Sequence, residues 1–175
     1  MGVLMRAEAA ARLLARSLAV AGLLLLMGLA VATLLDGLLR FFFSRPIDAV
    51  RDVNGVIVAV AAAACFPLAM IERTNITIRF LTVFVGSSAG RIADIGAAIL
   101  VTVTLFGMAA RFFIFAMQAL QNGDATWMLG IPTGPFWFAV DAMLWIAVFC
   151  QILALARDIT GADPSQSKPG LHDAI

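Results

Sequence analysis

Between Leu18 and Leu35 the chain carries no charged residue, and only Gly22, Gly28 and Thr33 interrupt its larger apolar side chains and alanines. A helix that crosses the ~30 Å hydrocarbon core of a bilayer needs about 20 such residues. Backbone groups in lipid have no water to bond, so a spanning segment is either a helix or a strand of a closed barrel. Barrel strands alternate apolar and polar side chains over about 10 residues. This run does not alternate, and a helix is dictated. Composition extends the argument to the whole chain. Of 175 residues, 62% are hydrophobic and 13% are charged, whereas about a quarter are charged in a soluble domain. There is too little polar surface to coat a water-soluble globule, which excludes an ordinary cytosolic enzyme, a disordered protein and a nucleic-acid binder. The formal net charge of +1 creates no global field for acidic ligands.

The pattern predicts an all-α membrane protein with four transmembrane helices. The first covers Leu13 to Phe43, longer than a bilayer requires, so it must tilt or project. The second covers Val53 to Ile71, the third Ile92 to Leu120 and the fourth Pro135 to Ala156. Arg6, Arg12 and Arg16 ahead of the first run also fit a secretory signal with Ala30-Val31-Ala32 as cleavage site. The length of the run and the three spans after it favour a retained anchor. Between spans two and three, Ile76, Phe80, Val83 and Phe84 recur at helical spacing in a stretch too short to cross, which predicts a short helix lying in the interface. The resulting division is a cytoplasmic N-terminus (1–12), a four-helix membrane domain (13–157) and a polar cytoplasmic tail (158–175). Arginines cluster at Arg6, Arg12 and Arg16, at Arg73, Arg79 and Arg91, and at Arg157, joined by Lys168. The loop from Gln118 to Gly134 has none. The excess of positive charge on the inner side puts both termini in the cytoplasm.

Local chemistry is sparse. Asp36 and Arg40 stand one helical turn apart with the acid first, the favoured order for an ion pair. Phe41, Phe42 and Phe43 follow at the presumed boundary. Pro46 suits the first turn of a new helix, where Asp48 and Asp52 meet the positive end of the helix dipole. The second span is rich in Ala and contains Gly55, which permits close backbone approach, and Pro67 should bend it. Cys65 and Cys150 read as small buried hydrophobes. The only His, His172, sits in the tail, and no Ser/His/Asp set, phosphate-binding Gly loop or metal-ligand cluster is visible, so no catalysis and no cofactor is expected. Two charges are sunk in the spans. Arg111 and Asp141 lie at matched depth on consecutive antiparallel helices, each about 10 Å below the outer boundary. The expectation is a structural ion pair locking spans three and four. A proton or ion relay through Asp141 and a contact to a partner subunit are the alternatives.

The linear order of three segments resembles the small membrane subunit (DctQ-like) of tripartite ATP-independent periplasmic, or TRAP, transporters, over roughly Leu13 to Arg157. The first is Leu39-Arg40-Phe41-Phe42-Phe43-Ser44-Arg45-Pro46-Ile47, similar to the family's Arg-aromatic-x-Phe-Asn-x-Pro segment. Asp52 stands where the family has an acid, commonly Glu. The second is Arg73-Thr74-Asn75-Ile76-Thr77-Ile78-Arg79, in which Asn75 replaces the usual His and Arg79 the usual Asp. The third is Gly123-Asp124-Ala125-Thr126, then Leu129-Gly130-Ile131-Pro132, then Trp137. Ala49 stands where Trp is frequent.

The resemblance implies a non-catalytic subunit of a bacterial inner-membrane transporter. Its partners would be a large multi-span subunit that binds substrate and sodium, a periplasmic binding protein delivering an organic acid, and membrane lipids, with no nucleic acid. Arg40, Pro46, Asp52, Asn75, Gly123, Pro132 and Trp137 become motif or interface candidates on this ground. The alternative is a self-sufficient four-span oligomeric transporter that couples ions through Asp36 or Asp141. A structural or assembly protein ranks third and a membrane enzyme last.

Overall fold

The structure is a computed structural model that describes residues 2–44, 47–72 and 87–160. Four helices account for almost all of them: α1 (Gly2–Phe43), α2 (Asp48–Ile71), α3 (Ser87–Asn122) and α4 (Gly134–Thr160). Each contains a stretch long and apolar enough to cross a membrane, at Arg6–Phe43, Asp48–Ile71, Ile95–Asn122 and Gly134–Ala156. The helices begin earlier or run longer than the apolar runs alone indicate, because helix geometry continues through polar flanks. At 1.5 Å per residue the 42 residues of α1 measure about 63 Å, twice the hydrocarbon thickness. The interfacial helix expected over Ile76–Ser88 lies mostly outside the described residues. From Ser87 on, that stretch already belongs to α3. Pro46, Asn75 and the tail from Gly161 also lie outside them.

In space the order is α1, α2, α4, α3. Helix α1 packs on α2, α2 on α4 and α4 on α3, with a minor contact between α1 and α4. The surfaces that meet are built from small residues. Ala11, Ala15, Ala19 and Gly22 fall at spacings of four, four and three along α1, which is one helical face, and all four are buried. Gly22 is the tightest point. A Cβ there would stand 2.8 Å from the Ala61 carbonyl oxygen and 2.9 Å from the Ala64 Cβ. A larger core lies between α2, α3 and α4, from Ala63, Leu105, Ala109, Val140, Leu144 and Val148. A smaller one near the α1 N-terminus joins Ala11 and Ala15 to Ile71 and Cys150. Arg16 of α1 pairs with Glu72 at the C-terminus of α2 at 3.3 Å and closes that end of the hairpin.

The outward faces are the opposite of a soluble protein's. Leu13, Leu23, Leu24, Met27 and Leu34 of α1 and Leu100 and Val103 of α3 are each more than half exposed. Whole faces of this kind exceed by far what a soluble monomer leaves open to water, and they are what a lipid environment requires.

Candidate functional site

Polar residues stand at both ends of the bundle; at the polar end where α1 meets α2 and α3 meets α4 they bond the backbone of the connections. Helix α1 stops at Ser44, which takes the left-handed conformation at φ 53° and donates its N–H to the Arg40 carbonyl at 3.1 Å. One and two turns earlier, Arg40 and Asp36 pair at 2.9 Å. The second Asp36 oxygen accepts the backbone N–H of Ile47, the residue that precedes α2. Asp36 is only 4% exposed. Its carboxylate satisfies the Ile47 N–H, one of the N–H groups at the start of α2 that no helix carbonyl can reach. Helix N-terminal N–H groups left without partners are costly in an apolar setting. A shallow groove of about 570 Å³ runs beside this pair along Thr33, Asp36, Gly37, Arg40 and Phe41.

Asp52 makes the second link. One of its oxygens accepts the Leu129 N–H at 2.8 Å and the other the Met128 N–H at 3.2 Å. Asp52 thus does more than face the dipole of α2. It stands one turn beyond the start of α2 and reaches across to the loop between α3 and α4. That loop is itself closed. Gly123 at φ 68° ends α3 in a Schellman arrangement, with Asp124 N–H bonded to the Ala119 carbonyl and Gly123 N–H to that of Leu120. Ala125 and Pro132 form an antiparallel bridge. Gly130, at φ 63°, completes the turn, and the Thr126 hydroxyl accepts the Ile131 N–H at 3.0 Å. The Thr133 N–H and hydroxyl both donate to the Asp124 carbonyl, at 2.9 and 3.0 Å. Helix α4 starts immediately after. Met128 and Leu129 are half exposed at the tip, and Trp127 is fully so.

The structure thus brings Arg40, Asp52, Gly123, Pro132 and Trp137 to one end of the bundle. Trp137 lies inside α4, edge-on to Phe112 and Phe115 with ring centroids 5.9 and 5.3 Å away.

The expected ion pair between Arg111 and Asp141 does not form directly. The ring pairs Phe113–Phe138 and Phe106–Trp145 set a register in which Asp141 stands level with Ala110, next to Arg111 in the chain. Rotation decides the outcome. Ala109 is buried against α4, and Arg111, two residues on, is turned about 200° away and exposed. Asp141 is 4% exposed, and its Oδ1 has no hydrogen-bond partner among the described residues.

Sequence reasoning gave no role to Gly22 or Gln151, and Thr126 entered only as part of the Gly123-Asp124-Ala125-Thr126 segment. Gln151 is 6% exposed and donates to the Ala98 carbonyl of α3 at 3.4 Å. A lone amide in an apolar run was the available signal. Cys150 is fully buried and Cys65 partly so, both as free thiols. Among the described residues no three His, Cys, Asp or Glu side chains converge as metal ligands.

Four apolar helices, with carboxylates bracing their turns and loops, define a multi-pass helical membrane protein. The family model of the tripartite ATP-independent periplasmic transporters, DctQ component, matches residues 29–161, most of the chain. The chain belongs to this family, and is a small permease subunit of a TRAP transporter. No curated protein and no solved structure gives a significant match.

Proposed function

We propose that the chain enlarges the static scaffold of a large sodium-coupled subunit in the bacterial inner membrane and takes no part in chemistry itself. The complex would import an organic acid handed over by a periplasmic binding protein. Both termini would lie in the cytoplasm, and the 123–133 loop would face the periplasm. Beyond family membership, one observation carries this reading: two carboxylates at this end, Asp36 and Asp52, are spent on bonds within the chain. Asp36 is bonded to Ile47 and Arg40, and Asp52 to Met128 and Leu129. Groups committed in this way hold helices in place and are not available to bind and release an ion on a transport path.

The test is reconstitution. The single chain in liposomes should give no sodium-driven uptake, whereas the chain with its large subunit and a loaded binding protein should. Uptake by the single chain would favour the self-sufficient transporter. Asp141 is then the coupling acid to examine, since its Oδ1 lacks a partner among the described residues and Asp36 is already occupied.

A further inference from the structure

Arg111 is misplaced for a helix surface that faces only lipid. The middle of the α3 span Ile95–Asn122 falls near Met108, and the middle of the α4 span Gly134–Ala156 is Trp145, whose ring packs on Phe106. Arg111 is therefore about 5–8 Å from the mid-plane, well within the ~30 Å core. It is exposed, and among the described residues it makes no ion pair or hydrogen bond. A guanidinium near mid-membrane is costly unless something satisfies it. Long side chains can reach for the head groups, but geometry opposes that here. Side chains on a helix lean toward its N-terminus, and the N-terminus of α3 lies at the end opposite the 123–133 loop. Arg111 is in the half nearer that loop, so it leans toward the mid-plane.

The rest of this face differs from a lipid-facing one. Thr104, Gly107, Ile114 and Gln118 stand at helical spacing around Arg111, all exposed, and nothing approaches the open side of Gly107 within 4 Å. The outward face of α1 offers the contrast. From Val20 to Leu35 it carries no charged or amide side chain to match Arg111 and Gln118, whereas Thr33 and Thr104 are alike bonded back to the carbonyl one turn earlier and Gly28 is as open as Gly107.

We propose that the α3 face bearing Arg111 is where a transmembrane helix of the large subunit docks, and that this helix presents a carboxylate to Arg111. The inference rests on the scaffold reading above and adds the face and the chemistry of the contact. An acid at that depth would satisfy the guanidinium in a charge-assisted hydrogen bond, and Gly107 one turn away admits the partner backbone closely.

The experiment uses the assembled complex in native membranes. A photoreactive benzophenone amino acid is placed at Ile114 on the α3 face and, separately, at Leu24 on the α1 face. Co-purification of the large subunit is measured for Arg111→Ala and Arg111→Lys. Ile114 is expected to crosslink to the large subunit and Leu24 to phospholipid. Arg111→Ala is expected to weaken association by about thirtyfold or more, as for loss of one partner of a buried charge pair. Arg111→Lys should recover part of it, and the thermal melting of the isolated full chain should change little with either variant. If the wild-type chain co-purifies but Ile114 reaches only lipid or a second copy, or Arg111→Ala binds normally, the docking face is overturned and the scaffold reading survives. If the wild-type chain does not co-purify with the large subunit at all, both are overturned.

Discussion

The two hairpins of this bundle are joined by different means. Between α1 and α2 the contact is backbone against backbone, with Gly22 lying on Ala61 and Ala64. Between α3 and α4 the buried Leu105 and Ala109 are flanked by large side chains, Phe106 on Trp145, Phe112 on Trp137 and Phe113 on Phe138. Each hairpin also buries one carboxylate to the same 4% exposure. Asp36 in the first has both oxygens bonded, and Asp141 in the second has one without a partner among the described residues. The comparison teaches that equal burial does not mean an equal role. In lipid there is no hydrophobic drive between helices, so each pair relies on shape and on satisfied polar groups. A carboxylate that completes a turn is part of that structure, whereas one left partly unsatisfied detracts from it.

The largest effect should come from forcing the first hairpin apart. Gly22→Leu places side-chain atoms where backbone and Cβ already stand, and overpacking of this kind costs about 3 kcal/mol. Thermal melting of the purified chain should drop accordingly. Gly28→Leu, at a position with nothing within 4 Å, should leave it unchanged. Equal effects would show that the hairpin is not held by close approach.

The two carboxylates should then respond in opposite directions. Asp36→Ala strands the Ile47 N–H and the Arg40 guanidinium, so folded yield should fall. Asp141→Leu removes an incompletely bonded polar group and should raise stability by about 1 kcal/mol. Melting curves of the two variants check this. If Asp141→Leu destabilises instead, the orphaned oxygen has a partner and the contrast fails. If it stabilises the chain but stops transport by the full complex, Asp141 is kept for function. The smallest and most local effect belongs to Asp52→Ala. The Met128 and Leu129 amides would exchange hydrogen faster by roughly tenfold or more, with little change at Ala119 or Leu120 inside α3. Uniform acceleration along the chain would show that Asp52 supports the whole fold and not the loop alone.

Much of the polar end could be read in one dimension. The Asp36–Arg40 pair is a contact within one helix, so spacing was sufficient. Gly123, Pro132 and the loop between them were marked by residues whose backbone preferences act locally. The Asp52 link to Met128 and Leu129 was not legible. It joins positions 76 and 77 residues apart, and a carboxylate near a helix start has a local explanation that sequence reasoning accepts first.

The sequence alone determined the four helices and their approximate ends. Helix formation in lipid follows from apolar length and from the need to satisfy each backbone group within the segment. Tertiary structure alone decided which face of each helix turns inward. In water, hydrophobic periodicity separates a buried stripe from a solvated one. In a bilayer both sides are apolar, and that signal vanishes. The inward faces here are picked out by size, with Ala15, Ala61, Ala109 and Ala147 fully buried while Leu23, Leu24 and Leu100 point out. Close packing selects small residues where helices meet, so the rotation that separates Arg111 from Asp141 was set by the neighbouring helices and not by the spacing of the charges.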